Sequence, residues 1–404
     1  MLTLADARKI ALQKEPRLAS ASLTAQAAGQ VVKEARSAYF PTVSGNLTGV
    51  GAEEGTAVAA GALTTSSLSS RIASGLIVSQ LITDFGRTKN LAGSARLRAQ
   101  AQDQNVVTTR AQILLNVQQA YYAALAAQAV EGVAQAALDN RRLVLRQIDA
   151  LAASSLKSTL DVRFAQVAVS QAELDLYQAQ NQFSSAQARL SAALGYERAQ
   201  TFTLAEEALP APLEPDADRL ITEALRQRPE LASISLNRDA ARRFAEAEKD
   251  LRKPTLSAVG SAGVVPAHDV GYHGDNYAAA GVNLNIPIFN GGLFSARKNE
   301  ADLRAQAADK DVQELALQIS KDVRVAWLDA NNAFRRLDVA ARLVDEANEE
   351  SRLAQTRYDA GLGSIVELTQ AQYTQTSAQI GAASAQYDYL SRRSALDYTT
   401  GRLR

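Results

Sequence analysis

The chain has 404 residues and 43.1 kDa, with 43 basic against 43 acidic side chains and a sequence pI near 6.8. It has no global basic field, so nucleic acid, whose binding runs through many cation–phosphate contacts, is not expected as a partner. It has no cysteine, which excludes disulfides, thiolate catalysis and Cys-type zinc sites and suits an oxidising compartment, while alanine at about a fifth of the chain favours long, closely packed helices.

The opening MLTLADARKI lacks the apolar core of a signal peptide, so the chain reads either as cytosolic or as a mature form with Met1 added. It offers no N-terminal Cys for a lipid anchor. No stretch reaches the 18 or more consecutive apolar residues of a membrane-spanning helix.

A repeat organises the rest. EPRLASAS around Pro16 matches RPELASIS around Pro229, and Pro41 matches Pro254, both 213 residues on. Leu97 matches Leu303, Tyr121 matches Trp327 and Ser158 matches Ser364, all 206 residues on. The seven-residue slip between the two sets belongs in a loop. The division is therefore residues 1–213 and 214–404, each a helix, a β-hairpin, a long helix and a return helix.

Each copy begins with a helix, capped by Thr3-x-x-Asp6 in the first and more loosely by Asp218-x-x-x-Thr222 in the second. Pro16 and Pro229 interrupt these helices, which end just before Pro41 and Pro254. Apolar residues then recur at every second position: Val43 and Leu47, answered by Ile72, Leu76 and Val78; and Leu256, Ala258, Ala262 and Val264, answered by Ala280, Val282, Leu284 and Ile286. These are hairpins at about 41–82 and 254–288, with strands of a length that spans a bilayer when tilted. Tyr39, Phe40, Phe85, Phe289 and Phe294 gather at one end of them. They read as an interfacial aromatic girdle or as ordinary strand-end packing.

After the turns at Asp84 and Asn290, helices over 86–152 and 291–359 run without proline, each roughly 100 Å at 1.5 Å per residue. In the second, Val312, Leu315, Ile319, Val323, Ala326 and Ala330 alternate in threes and fours, as in coiled coils or helix bundles. Short breaks near Ser155 and Gly361 precede return helices at 157–194 and 365–401.

Two hairpins give four strands with raw outer edges, and unpaired backbone in a bilayer is costly enough that the sheet must close. Four strands cannot enclose a pore; three copies supply twelve.

In their order and duplication, the P-x-L and YFP starts, the LITDFGR and IPIFNGG turns and the RYDAGLGSIVELTQAQ segment resemble the TolC-type outer-membrane efflux proteins, or outer membrane factors, over essentially the whole chain. The resemblance implies a mainly α fold with a membrane β-barrel portion. Long antiparallel helical hairpins would form a periplasmic tunnel, and four strands per protomer a shared twelve-stranded barrel in the outer membrane. It implies a homotrimer in outer-membrane lipid, working with a periplasmic adaptor and an inner-membrane pump as a passive efflux duct. The segment from Gly195 to about Arg228 would belong to a collar around the tunnel.

By the same resemblance, the gate lies at the helical turns. Glu367 takes the family's first acidic position, and Gln370 replaces the second. Asp161 and Tyr358 match positions that hold neighbouring hairpins shut. Gly363 replaces the basic residue of that lock, leaving Arg357 or Lys157 to supply it. Glu367 and Asp161 are also what a helix start favours near its positive dipole end. Ser155 and Leu156, with Gly361, Leu362, Gly363 and Ser364, would dock the adaptor.

His268, Asp269 and His273 fit no metal-ligand spacing, the glycine runs lack a phosphate-binding context, and no catalytic constellation stands out. No cofactor, metal or enzymatic activity is expected. A protein-secretion duct would share the fold, and a soluble coiled-coil scaffold would share the helices but not the alternating strands. Cargo is not written in these residues.

Overall fold

Thr3 stands in extended backbone, and its side chain accepts from the Asp6 amide, which starts α1 (Leu4–Lys14). In this computed structural model, residues 1–51, 57–60, 63–67, 70–210, 212–268 and 274–403 are described. The chain continues through α2 (Pro16–Ser37), β1 (Thr42–Val50), β2 (Ala57–Ala60), β3 (Leu63–Ser67), β4 (Arg71–Thr83), α3 (Arg87–Ala153) and α4 (Thr159–Ala193). It then forms α5 (Ala217–Gln227), α6 (Pro229–Lys249), β5 (Thr255–His268), β6 (Asn276–Asn285), α7 (Leu293–Asp359) and α8 (Ile365–Thr399).

Proline sets two of these boundaries. Pro16 and Pro229 each occupy the first position of a new helix, where their missing N–H costs nothing and their fixed φ fits. The cap of α5 differs from the sequence expectation. Asp216, not Asp218, is the extended residue whose carboxylate receives the Asp218 amide. The Asp218 carboxylate is instead paired with Arg324.

Two compact units divide the chain, and each draws on both halves of the sequence. The first comprises Met1–Ser22, Gln104–Leu231 and Glu314–Arg404. It is helical, with its core in small-residue seams. Tyr121, Leu125, Leu190 and Leu194 pack with Leu4, Ala7 and Ala11 of α1 in one cluster. Ile319, Val323 and Ala330 of the three-four stripe on α7 are fully buried against Leu220 and Ala224 of α5 in another. Burying one such leucine or isoleucine contributes about 1.5–3 kcal/mol.

The second unit comprises Leu23–Asp103 and Ala232–Gln313. Its main sheet has the order β1-β4-β5-β6, antiparallel throughout, so the sequence's two hairpins meet at β4 and β5. β2 and β3, not anticipated from the sequence, pair with each other. β6 stops at Asn285, leaving Ile286 outside it, because Pro287 has no N–H for a ladder.

Register fixes the faces. Val43 pairs with Val78, Leu76 with Ala262, Ala258 with Val282 and Leu256 with Leu284, and directly opposed residues share a face. That face is apolar or small along most of each strand. The other carries Ser44, Asn46, Ser79, Ser257, Ser261 and Asn283. On it, Tyr277 pairs with Gly263, which pairs with Gly75, and a Cβ on either glycine would collide with the Tyr277 hydroxyl.

Candidate functional site: helical turns and an exposed apolar sheet face

In the helical unit, α3 closes with Ser155 at φ 58°, and the Leu156 amide returns to the Leu151 carbonyl at 2.9 Å. Leu156 is left 70% exposed. Ser158 then caps α4 reciprocally: its side chain receives the Leu160 amide at 3.1 Å, while Asp161 accepts from the Ser158 amide at 3.4 Å. The first role of Asp161 is therefore local, as a helix start predicts.

The second turn places Gly361 at φ +73°, where glycine alone is unstrained. The amides of Leu362 and Gly363 both return to the Arg357 carbonyl, at 2.8 and 3.0 Å. A Cβ on Gly363 would lie 3.2 Å from that of Arg357, so a side chain here requires Arg357 to give by a few tenths of an ångström. Ser364 caps α8 by accepting the Glu367 amide at 3.1 Å.

Arg357 donates to the Glu367 carboxylate at 3.1 Å and to the Leu362 carbonyl at 3.2 Å. Lys157, from the first turn, donates to the Tyr358 carbonyl at 3.0 Å and stands 3.9 Å above the Tyr358 ring. Lys157 thus joins the two turns within one chain, while Arg357 braces the second turn internally. Tyr358 is buried among Ile148, Ile365 and Leu368, and its hydroxyl has no hydrogen-bond partner among the described residues. Burial, then the charges of Asp161 and Asp359, push its phenol up to about 12. Gln370 is exposed, one turn along α8 from Glu367, and does not join this cluster.

In the sheet unit, Leu47 is 80% exposed and Val282 67%, far above what water tolerates across a whole face. At its base, Tyr39, Phe40, Phe85 and Phe289 are exposed and Phe294 is half-buried. Phe85 adopts φ 54° in a turn held by Asp84, whose carboxylate receives the Gly86 and Thr88 amides, and by Lys253, which donates to the Phe85 carbonyl. Buried Glu248 receives Arg297 at 2.7 Å and has Arg87 at 4.0 Å, so one carboxylate draws together the starts of α3 and α7. Nothing in the sequence pattern singled out Glu248 or Lys253, because their roles depend on contacts across the fold.

Among the described residues, no group of three His, Cys, Asp or Glu could hold a metal ion. His268 lies 3.7 Å from Asp275, and His273 and Asp269 fall outside the described residues.

A model of the outer membrane efflux protein family matches residues 7–196 and 220–402. The outer membrane protein TolC of Salmonella enteritidis is 22% identical, over 96% of this chain and 79% of its own. The probable efflux pump outer membrane protein TtgC of Pseudomonas putida is 27% identical, over 91% of this chain and 75% of its own. The crystal structure of the outer membrane protein VceC from Vibrio cholerae superimposes with a TM-score of 0.84 at 18% identity, over 98% of this chain and 96% of that one.

Proposed function

Because the chain belongs to the outer membrane efflux protein family and has the TolC-like fold, we propose that three copies close their sheets into one twelve-stranded barrel in the outer membrane and serve as the passive exit duct of a tripartite pump. The observation that carries this reading is the sheet itself. Its face is apolar yet exposed, and β1 and β6 are open edges. Lipid against the face and neighbouring copies at the edges satisfy both together.

The two sequence halves act as structural repeats in this assembly, each giving two strands and one helical hairpin to a tunnel that projects into the periplasm. The exposed aromatics at the sheet base meet the membrane interface, with half-buried Phe294 contributing least. The turns at Ser155–Leu156 and Gly361–Ser364 dock a periplasmic adaptor, and Glu367, with Gln370 one turn on, lines the gate. The chain performs no chemistry; the energy comes from an inner-membrane pump.

The reading is tested by adding purified protein to planar bilayers and by co-purification with Gly361→Trp. Single-channel steps from the parent protein are expected, and the variant should conduct but lose its adaptor. Absence of conductance overturns the duct, and adaptor retention overturns the docking turn. The pump recovered with the parent protein separates small-molecule efflux from protein secretion.

A further inference from the structure

Arg141, on α3, keeps only 8% of its surface exposure, and burial pushes its guanidinium pKa down. Its one hydrogen bond among the described residues is a long one, 3.5 Å, to the Thr376 hydroxyl on α8. None of the α4 acids pairs with Arg141 among the described residues: Asp161 caps α4, Glu173 pairs with Arg142 at 2.7 Å, and Asp175, which lines the same groove, accepts from Gln171 at 2.9 Å. Arg141 lines a groove of about 560 Å³ bounded by α3, α4 and α8. A cation this buried with no ion-pair partner among the described residues is disfavoured, which points to a partner from outside the single chain.

The groove continues into an exposed apolar stripe along α4: Leu160, Phe164, Val167, Leu174 and Tyr177, at helical spacing. A small anion would neutralise Arg141 and leave that stripe in water. A helix covers both. On α7, Val339, Leu343 and Leu353 are exposed, with Glu346 and Glu350 between them, exposed and without a cation partner among the described residues.

We propose that α7 of a second copy lies along α4 and over this groove, and that its Glu346 and Glu350 supply the counter-charge of Arg141. The inference rests on the trimeric reading above and names the contact that joins its tunnel walls. Heights along the bundle agree. Arg141 reaches Thr376, Arg142 reaches Glu173, and Gln375 and Gln379 both donate to Asn348. Rotation about an axis along the bundle preserves height, so a neighbour's Asn348 stands level with Arg141. Glu346 and Glu350 lie two residues to either side of it. Run antiparallel, the same alignment brings Leu353 to the level of Val169 and Ser170, and exposed Ser170 lies between Val167 and Leu174 on the stripe.

The chain contains no cysteine, so Ser170→Cys combined with Leu353→Cys gives a clean cross-link. On oxidation, the detergent-purified double variant should become interchain-bonded trimer, and neither single variant should. Intact trimers without the bond overturn this pairing and leave the trimeric reading standing; monomers overturn that reading itself. Separately, Arg141→Glu should lower the temperature at which trimers dissociate, and adding Glu346→Arg or Glu350→Arg should restore it. No lowering, or a lowering that neither reversal relieves, overturns the charge pairing.

Discussion

Tyr121 and Trp327, 206 residues apart, grip two points of one connecting segment. The Tyr121 hydroxyl lies 2.6 Å from the Ala205 carbonyl, and the Trp327 indole N–H donates to the Glu214 carbonyl at 2.9 Å. The sequence matched these two positions as repeat equivalents, and the contacts give the match a physical content: a large aromatic ring on each long helix, with one polar atom turned to the same connector. Tyr121 also reaches the Leu2 carbonyl at 2.9 Å, tying the N-terminal segment to that connector. The Leu2 carbonyl still accepts the Ala205 amide, so Tyr121→Phe keeps the packing and leaves the half-buried Ala205 carbonyl short of a donor, which should cost about 1 kcal/mol. Denaturation midpoints of the purified protein check it; an unchanged midpoint removes the tether.

Glu367 and Arg357 form an exposed pair, which contributes about 0–1 kcal/mol to folding. Glu367→Ala should therefore leave thermal stability unchanged while freeing three Arg357 cations at the proposed gate, shifting selectivity away from cations. Reversal potentials in asymmetric salt measure this, and selectivity equal to the parent's takes Glu367 out of the pore.

Tyr358 gives an alkaline signature. Its folded phenol titrates at about 12 against an ordinary value of 10, so its contribution is whole below pH 10 and is lost as pH rises towards 12. The parent protein should lose stability across that window, and Tyr358→Phe should lose less. Because the hydroxyl is buried with no partner among the described residues, Tyr358→Phe should also be neutral or slightly stabilising at pH 7. Denaturation midpoints at pH 7, 10 and 12 decide it; parallel losses in both proteins contradict the assignment.

The two sheet faces should respond oppositely to charge. Leu47→Arg or Val282→Arg, on the apolar face, should destabilise by about 2–4 kcal/mol if near the bilayer midplane. Asn46→Arg and Asn283→Arg, on the polar face, should assemble normally and reduce cation conductance. Equal tolerance on both faces would mean that lipid does not cover the apolar one.

The strands and caps are legible in the sequence because each obeys a local rule. A sheet with one face in lipid must alternate, as Val43, Leu47, Leu76 and Val282 do, and a helix start needs an acceptor such as Thr3. What is not legible depends on contacts between distant segments. No local pattern reveals that Arg141 is buried, that Lys157 sits on the Tyr358 ring, or that Glu248 gathers two arginines. The cap at Asp216 is missed for a smaller reason: Asp216 and Asp218 are both good acceptors, and only backbone conformation selects between them.

Threefold closure is tested most directly by native mass spectrometry of the protein released from detergent micelles. The account predicts one dominant species of three 43.1 kDa chains, with β-structure in its circular dichroism. A single chain, stable in water without detergent, would contradict it.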